Sequence, residues 1–276
     1  MEASAGGEVA AVVCRGAGFA YRGGAAVLEG IDASLRWGRL TALLGPNASG
    51  KSTLLRMMLG QLDPGEGAVE VVGRPAGSWE ARARARRVVY VPQQGSTAFG
   101  FSVREMVAMG RFAFGDEAFV EEAVGVFGLS ELADRPMTQL SGGQQQRVLL
   151  SRAWVQSRGP ARGDREPAVV LADEPTANLD LRYGLEAMQR LRAMADEGHA
   201  VLVVLHDLAW AERWADEVWL LSRGRMAAMG EPAEVLQPAV LSRVYGVELN
   251  VVSQGGRRLF YAEAAADGAA ADTLTD

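Results

Sequence analysis

The stretch that decides the fold of this chain is Gly45-Pro46-Asn47-Ala48-Ser49-Gly50-Lys51-Ser52-Thr53. It matches the pattern G-x-x-x-x-G-K-[ST], in which a glycine-rich loop joins a strand to a helix. The apolar run before the stretch, residues 40–44, predicts a buried strand, and residues 51–59 have the spacing of a helix with one apolar face. Backbone N–H groups of such a loop, with a helix N-terminus behind them, form an anion site. The sequence therefore predicts a phosphate-binding loop at residues 45–53.

Lys51 is the only lysine among the 28 basic residues of the chain, and all the others are arginine. So complete a preference for arginine reflects overall composition, which makes the exception informative. A lysine ammonium is a compact charge on a flexible stem, whereas an arginine guanidinium is a planar fork. Lys51 therefore stands where a small cation has to fit inside a tight phosphate cradle.

The composition limits the classes of protein to which the chain can belong. The 276 residues, 49% apolar and 22% charged, suit one larger soluble domain with a possible subdomain. A net charge of −6 gives no sign of a nucleic-acid-binding surface, and we expect no nucleic-acid partner. The chain shows neither a signal peptide nor a run of about 20 apolar residues, so we expect it in the cytoplasm. The one basic cluster, at residues 82–87, is predicted to be a solvated helix face.

Hydrophobic patterns predict three regions. Short strands occur at residues 9–13, 18–21, 31–35 and 40–44, beginning partly antiparallel, and again at 69–72 and 88–91 around a helix at 78–85. From residue 103 to 154 the spacing is helical, with Val120, Val124 and Phe127 on one face. Continuous apolar runs at 168–172 and 200–204, with a helix between them, predict a parallel βαβ unit covered on both faces.

These regions predict an α/β fold with an N-terminal antiparallel β subdomain and an all-helical insert at about residues 100–155. Residues 157–167 are predicted to be a surface loop because they are rich in Gly, Pro and charge. The main domain should cover residues 1–250, and residues 251–276 should form a C-terminal extension that is partly disordered and frays after residue 255.

Two carboxylates follow the apolar run at residues 168–172. Asp173 is placed to hold Mg²⁺ through water while Ser52 supplies its hydroxyl. Glu174 points elsewhere because it is one residue further on, and it is placed to polarise a water for attack on a γ-phosphate. The pattern therefore predicts a nucleotide-hydrolysing site.

Residues 140–147, which read LSGGQQQR, complete the pattern. A serine and two glycines begin a helix there and leave its first N–H groups unobstructed, which makes a second anion site. Following a phosphate-binding loop and preceding Asp173-Glu174, this signature stretch resembles the LSGGQ signature of the ATP-binding cassette (ABC) ATPases. The resemblance covers about residues 9–250 and implies a RecA-like P-loop NTPase core that uses ATP and Mg²⁺.

The resemblance assigns roles to four further residues. Tyr21 matches the aromatic residue that stacks on adenine, and Gln93 matches the glutamine that reaches the metal or the attacking water. Asp180 matches the loop that crosses the dimer interface. His206 matches the switch histidine that contacts the γ-phosphate, whereas His199 is expected to be structural.

The family pattern also implies that two chains pair head to tail in a homodimer. ATP then lies between the phosphate-binding loop of one chain and the signature stretch of the other, with contacts from Ser141, Gly142, Gly143 and Gln144. Glu174 would orient the water, and Lys51, Gln93 and His206 would act on the γ-phosphate. One departure is Ala48, since relatives more often have glycine there. If that position needs a positive φ, alanine costs on the order of 1 kcal/mol.

Finer features resemble one group within the family. Residues 101–111, FSVREMVAMGR, are similar to a segment of ATPases that drive importers of ferric siderophores, haem or cobalamin, as are residues 173–182 and 241–247. The resemblance implies integral membrane permease partners, an extracytoplasmic substrate-binding protein that acts indirectly, and a peripheral location on the cytoplasmic face of the membrane. Residues 95–115 would carry motion to the permease. An exporter ATPase and a soluble ABC protein without a transport role remain alternatives.

Overall fold

The computed structural model describes residues 10–93, 100–162, 166–177, 179–255 and 257–263. The strands are β1 (Ala10–Ala20), β2 (Ala26–Arg36), β3 (Leu40–Leu44), β4 (Glu66–Val71), β5 (Arg74–Pro75), β6 (Val88–Val91), β7 (Val169–Asp173), β8 (Ala200–Val204), β9 (Glu217–Ser222), β10 (Arg225–Gly230), β11 (Glu248–Gln254) and β12 (Arg257–Glu263). The α-helices are α1 (Lys51–Met58), α2 (Ala81–Arg87), α3 (Val103–Ala108), α4 (Val120–Val126), α5 (Gly142–Ser157), α6 (Leu181–Asp196), α7 (Leu208–Trp214), α8 (Pro232–Val235) and α9 (Pro238–Tyr245).

The central sheet has six strands in the order β10-β9-β3-β8-β7-β6. All neighbours are parallel except β10, which pairs antiparallel with β9. Every residue of β3, β7 and β8 is buried, as expected for strands covered on both faces. The predicted strands at residues 40–44, 88–91 and 200–204 have those bounds in the structure, and the predicted α/β class is confirmed.

A second sheet of four antiparallel strands, in the order β2-β1-β4-β5, forms the N-terminal subdomain. Residues 10–20 form one strand, β1, where the sequence predicts two. The apolar alternation is interrupted because the register against β2 shifts between Cys14 and Ala17. A bulge changes which side chains face the core without ending the strand. The interruption therefore marks an irregularity within β1.

The insert between β6 and β7 is helical, as predicted, and has its own apolar core. Val120 and Val124 are buried in that core, and Phe127 packs against it. At its edge lies Arg111, which is fully buried. Its guanidinium donates to the Asp116 carboxylate and, from Nη1, to the carbonyls of Val155 at 2.8 Å and Gly159 at 2.7 Å. This arginine therefore fastens the turn after α3 to the end of α5.

The predicted solvated face at residues 82–87 is confirmed, since no residue of α2 is buried, but two of its exposed arginines also have long-range partners. Nε of Arg82 and Nε of Arg86 both donate to the Ala113 carbonyl at 3.0 Å, so α2 is tied to the helical insert. Arg87 forms an ion pair with Glu166, in the surface loop that follows α5. The cluster connects two subdomains, and its partners lie too far along the chain to be recognised by local pattern.

The C-terminal segment continues as structure beyond residue 255. Strands β11 and β12 pair antiparallel in a hairpin, so residues 257–263 do not belong to a frayed tail. Residues 264–276 lie outside the described part of the chain, and the domain limits proposed from sequence remain predictions. Among the described residues, no helix has both the length and the apolar character to span a membrane.

Candidate functional site

The phosphate-binding loop connects β3 to α1, as predicted, and two of its glycines are required by space. Gly45 has φ +148°, and a Cβ there would lie 2.0 Å from the Leu221 carbonyl oxygen. Gly50 has φ +108°, and a Cβ would lie 2.6 Å from a methyl carbon of Leu28. The first clash is with backbone and the second with a buried side chain, and both residues have a positive φ that strains any L-residue. The loop shape therefore depends on both glycines.

Lys51 is buried and points back into the loop. Its Nζ donates to the carbonyl oxygens of Gly45 at 2.7 Å and Pro46 at 2.9 Å. Burial lowers the pKa of this ammonium, whereas the negative charges of Glu174 and Asp173 raise it in part. The loop thus encloses the single lysine among carbonyl and carboxylate oxygens, as its sequence position predicts.

The other loop residues divide into a buried and an exposed set. Asn47, Ala48 and Ser52 are exposed, whereas Ser49 and Thr53 are buried. Ala48 has φ +60°, in the left-handed region that disfavours L-residues. The backbone condition under which alanine is costly at this position is therefore met.

Asp173, the last residue of β7, is buried beside the phosphate-binding loop. Burial raises the pKa of its carboxyl and the charge of Glu174 raises it further, while a hydrogen bond from the Ser52 hydroxyl and the charge of Lys51 offset part of the rise. A carboxylate and a hydroxyl oxygen are the hard donors that Mg²⁺ takes in phosphate sites. The donor set of Asp173 and Ser52 fits that ion.

Residues that follow three neighbouring strands meet at Glu174, at one edge of the sheet. Gln93 follows β6, Glu174 follows β7 and His206 follows β8, and these strands are adjacent. Gln93 Nε2 donates to Glu174 Oε2 at 2.5 Å, and His206 Nε2 lies 2.5 Å from Glu174 Oε1. The carboxyl ends of parallel strands are where α/β sheets place their ligands. Three residues predicted for catalysis therefore meet in one cluster.

The backbone at Glu174 is strained as well. Its φ is +47°, a conformation that a non-glycine residue adopts only when its surroundings impose it. The side chain of Glu174 is 16% exposed and that of His206 is 48% exposed. The carboxylate is thus held nearly buried, while the imidazole still faces solvent.

The signature stretch lies at the start of α5, in the helical insert. Ser141 caps the helix in a reciprocal arrangement with Gln144: Ser141 N–H donates to Gln144 Oε1 at 2.9 Å, and Gln144 N–H donates to Ser141 Oγ at 3.3 Å. Gly142 and Gly143 form its first turn. Within the described residues, no hydrogen bond or ion pair links these four to the phosphate-binding loop.

Asp180 and Tyr21 also lie apart from the Glu174 cluster. The carboxylate of Asp180 caps α6 by accepting the Tyr183 N–H at 3.0 Å. The ring of Tyr21 is 46% exposed and meets Phe19 edge to face at 4.9 Å between centroids. Both side chains are therefore accessible to a nucleotide or to a second chain.

One connection was not predicted from the sequence. Gln146, in the signature stretch, is buried, and its Nε2 donates to the Pro92 carbonyl at 3.4 Å. It therefore links the signature helix to the peptide next to Gln93. The only sequence signal was a polar residue on the buried face of α5.

Comparison with known proteins identifies the family. The sequence profile described as "ABC transporter" matches residues 28–177. The hemin import ATP-binding protein HmuV of Streptomyces coelicolor is 43% identical over 238 residues, which is 84% of this chain and 82% of that protein.

Two solved structures are similar to this one. A metal-chelate type ABC transporter in an inward-facing conformation matches with a TM-score of 0.74 and 25% identity, over 92% of this chain and 97% of that one. A dimeric ATP-binding cassette bound to ADP and phosphate, in a post-hydrolysis state, matches with a TM-score of 0.71 and 25% identity, over 80% and 98% of the two chains. The profile match and the identity to the Streptomyces coelicolor protein together show that this chain belongs to the ABC transporter family of ATP-binding proteins.

Proposed function

We propose that this chain is the ATP-hydrolysing subunit of an importer that moves a metal chelate through a membrane permease. The ATPase activity follows from the family, and the chelate is inferred from relatives named for hemin import and from a structural neighbour of the metal-chelate type. Haem is the first candidate, with ferric siderophores and cobalamin next. These relatives do not favour an exporter or a soluble ABC protein.

The observation that carries the hydrolytic part is the cluster around Glu174. Its carboxylate is held by Gln93 on one oxygen and faces His206 on the other, next to the loop that encloses Lys51. In our proposal Glu174 orients the attacking water, and Gln93 and His206 sense the γ-phosphate. Asp173 and Ser52 would hold Mg²⁺, which neutralises charge on the phosphate oxygens when bound.

Two copies of the chain would form the complete site. The phosphate-binding loop and the signature stretch lie on different elements: α1 packs on β2, β4 and β7, whereas α5, which the signature stretch begins, packs on α3 and α4 of the helical insert and also on β6 and α6. We infer a head-to-tail homodimer in which Ser141, Gly142, Gly143 and Gln144 of one chain contact ATP bound to the other. Asp180 would lie at this interface, and Tyr21 would stack on adenine. Loss of the γ-phosphate charge on hydrolysis would release the halves.

The permease is proposed to contact the helical insert. A 620 Å³ groove opens on it, and its rim carries the exposed side chains of Phe112 (82%) and Met109 (39%). Exposed apolar groups beside charged ones mark interaction surfaces. Within the predicted coupling segment, the groove is lined by residues between Glu105 and Gly115, whereas 95–99 lie outside the described residues. This contact would place the chain peripherally on the cytoplasmic face of the membrane.

The test is capture of partners by a trapped enzyme. Tagged Glu174→Gln protein is incubated with native membranes and Mg-ATP, purified, and analysed by mass spectrometry. Recovery of a polytopic permease, with an extracytoplasmic binding protein alongside it, would support the importer. Recovery of ribosomal or DNA-bound proteins alone would refute it and leave the ATPase assignment intact. Reconstitution of that permease with haem, siderophore or cobalamin then identifies the substrate.

A further inference from the structure

Helix α7 sets the position of His206, because it begins two residues later. Asp207 caps it, and its Oδ1 accepts the Ala209 N–H at 2.7 Å. The capped turn leaves little freedom between the imidazole and the helix. A shift of α7 therefore moves His206 relative to Glu174.

The helix is held partly through its own side chains, because Leu208, Trp210 and Trp214 pack against the central core while remaining partly exposed. Ala211 is its only fully buried residue, and α7 packs on β3, α8 and the C-terminal strand β12. Two of these three supports lie after the central sheet, in the part of the chain that contributes no residue to the Glu174 cluster. The location of α7 thus depends in part on the C-terminal hairpin.

Arg258 on β12 makes the connection. Its Nε donates to Glu212 Oε1 at 2.8 Å, and its Nη2 donates to Glu212 Oε2, so the guanidinium forms a bidentate pair with the Glu212 carboxylate on α7. The same guanidinium donates to the carbonyls of Pro232 at 2.9 Å and Leu236 at 3.3 Å, at the two ends of α8. The Arg258 side chain is 19% exposed and that of Glu212 is 25% exposed. Paired, partly desolvated contacts of this kind fix geometry as well as energy.

We propose that Arg258 is a positioning residue for ATP hydrolysis: by holding Glu212, it fixes α7 and thereby keeps His206 beside Glu174. The inference rests on the proposed role of His206 in the reaction. Arg258 contacts none of the residues of the Glu174 cluster, so its effect passes through the helix. In this role the C-terminal hairpin is part of the hydrolytic apparatus.

Two variants test the proposal. Glu212→Gln weakens the pair between residues 212 and 258 but leaves Arg258 its carbonyl partners on α8, so the hairpin stays packed on α8. Arg258→Lys keeps a positive charge and loses the two-armed geometry. The control is Arg158→Gln: Arg158, at the C-terminal end of α5, donates to both oxygens of Glu197, at 3.2 and 3.1 Å, with similar exposure, and this pair includes no residue of α7 or of the Glu174 cluster.

We expect Glu212→Gln to lower kcat about fivefold, the effect of one charge-assisted contact at a partly exposed site. KM for ATP should stay the same, because no residue that binds ATP has changed. Arg258→Lys should retain more of the wild-type kcat, and Arg158→Gln all of it.

The two histidines provide a direct spectroscopic readout on the intact chain. The imidazole NMR signals of His206 should move in Glu212→Gln, while those of buried His199 stay in place. A loss of thermal stability with unchanged kcat and unchanged His206 signals would overturn the proposal and leave Arg258 a structural clamp. If the wild-type protein itself fails to hydrolyse ATP, the proposed function fails, and the His206 signals still report whether Arg258 positions that residue.

Discussion

Replacing Ala48 by glycine should stabilise the protein, which is the reverse of the usual result. At φ +60° an alanine is strained by about 1–2 kcal/mol, and glycine carries no such strain. Glycine also gives the unfolded chain more freedom, which costs about 0.4–1 kcal/mol of stability. Ala48 is exposed, so loss of its methyl group removes little packing. The net expectation is a gain of about 0.5–1 kcal/mol, or roughly 1–4 °C in Tm for a chain of this size.

The assay is thermal and urea unfolding of Ala48→Gly without nucleotide, compared with Ala215→Gly. Ala215 has φ −86°, where glycine relieves no strain, and its methyl group packs on the central core, so that variant should lose at least about 0.5–1 kcal/mol. The two substitutions delete the same methyl group and should move stability in opposite directions. Equal destabilisation by both would refute the claim that the phosphate-binding loop stores strain at Ala48.

Four further outcomes are expected. Glu174→Gln should lower phosphate release by about 10²-fold or more while ATP binding persists, and normal turnover would remove it as the base. Tyr21→Ala should weaken ATP binding by about 1–3 kcal/mol in a nucleotide titration, and an unchanged Kd would exclude stacking. Burial, with the charge of Glu174, raises the pKa of Asp173, so its ionised form destabilises the fold. Asp173→Asn should therefore raise Tm at pH 8 without ligands. The difference in Tm should shrink as pH falls through the raised pKa of folded Asp173 and vanish below the pKa of Asp173 in the unfolded chain. A pH-independent difference would contradict the raised pKa. Arg111→Met leaves the Asp116 carboxylate and two carbonyls without their hydrogen-bond donor, and should lower the free energy of unfolding by about 3–5 kcal/mol in urea. Wild-type stability would count against an anchoring role for Arg111.

Continuous apolar runs made the central strands predictable. In β3 and β8 every residue is buried and only Thr41 is polar, so the ends of each run coincide with the strand ends. The order of the strands was not predictable in the same way, because pairing of β3 with β8 and β9 joins residues far apart in the chain. The sequence therefore specified the strands better than their arrangement.

The site residues were predictable through motifs, and their contacts were not. Glu174 was identified from its position after a buried strand, and Gln93 and His206 by resemblance, yet nothing local indicates that both oxygens of Glu174 are engaged. Long-range arginine contacts were missed for the same physical reason. Arg86 and Arg258 find partners in segments that only the folded chain brings near.

The groove proposed for the permease has walls on both subdomains. Arg82 belongs to α2 beside the central sheet, while Phe112 and Glu117 belong to the helical insert. A rotation of the insert relative to the sheet would change the width of the groove, so a partner would bind one nucleotide state more tightly than another. Thermodynamic linkage makes that preference reciprocal. A permease that fits the groove in only one of its own conformations would then alter the affinity of this chain for ATP by the same factor. Cargo bound on the far side of the membrane would in this way influence nucleotide binding without touching the nucleotide site.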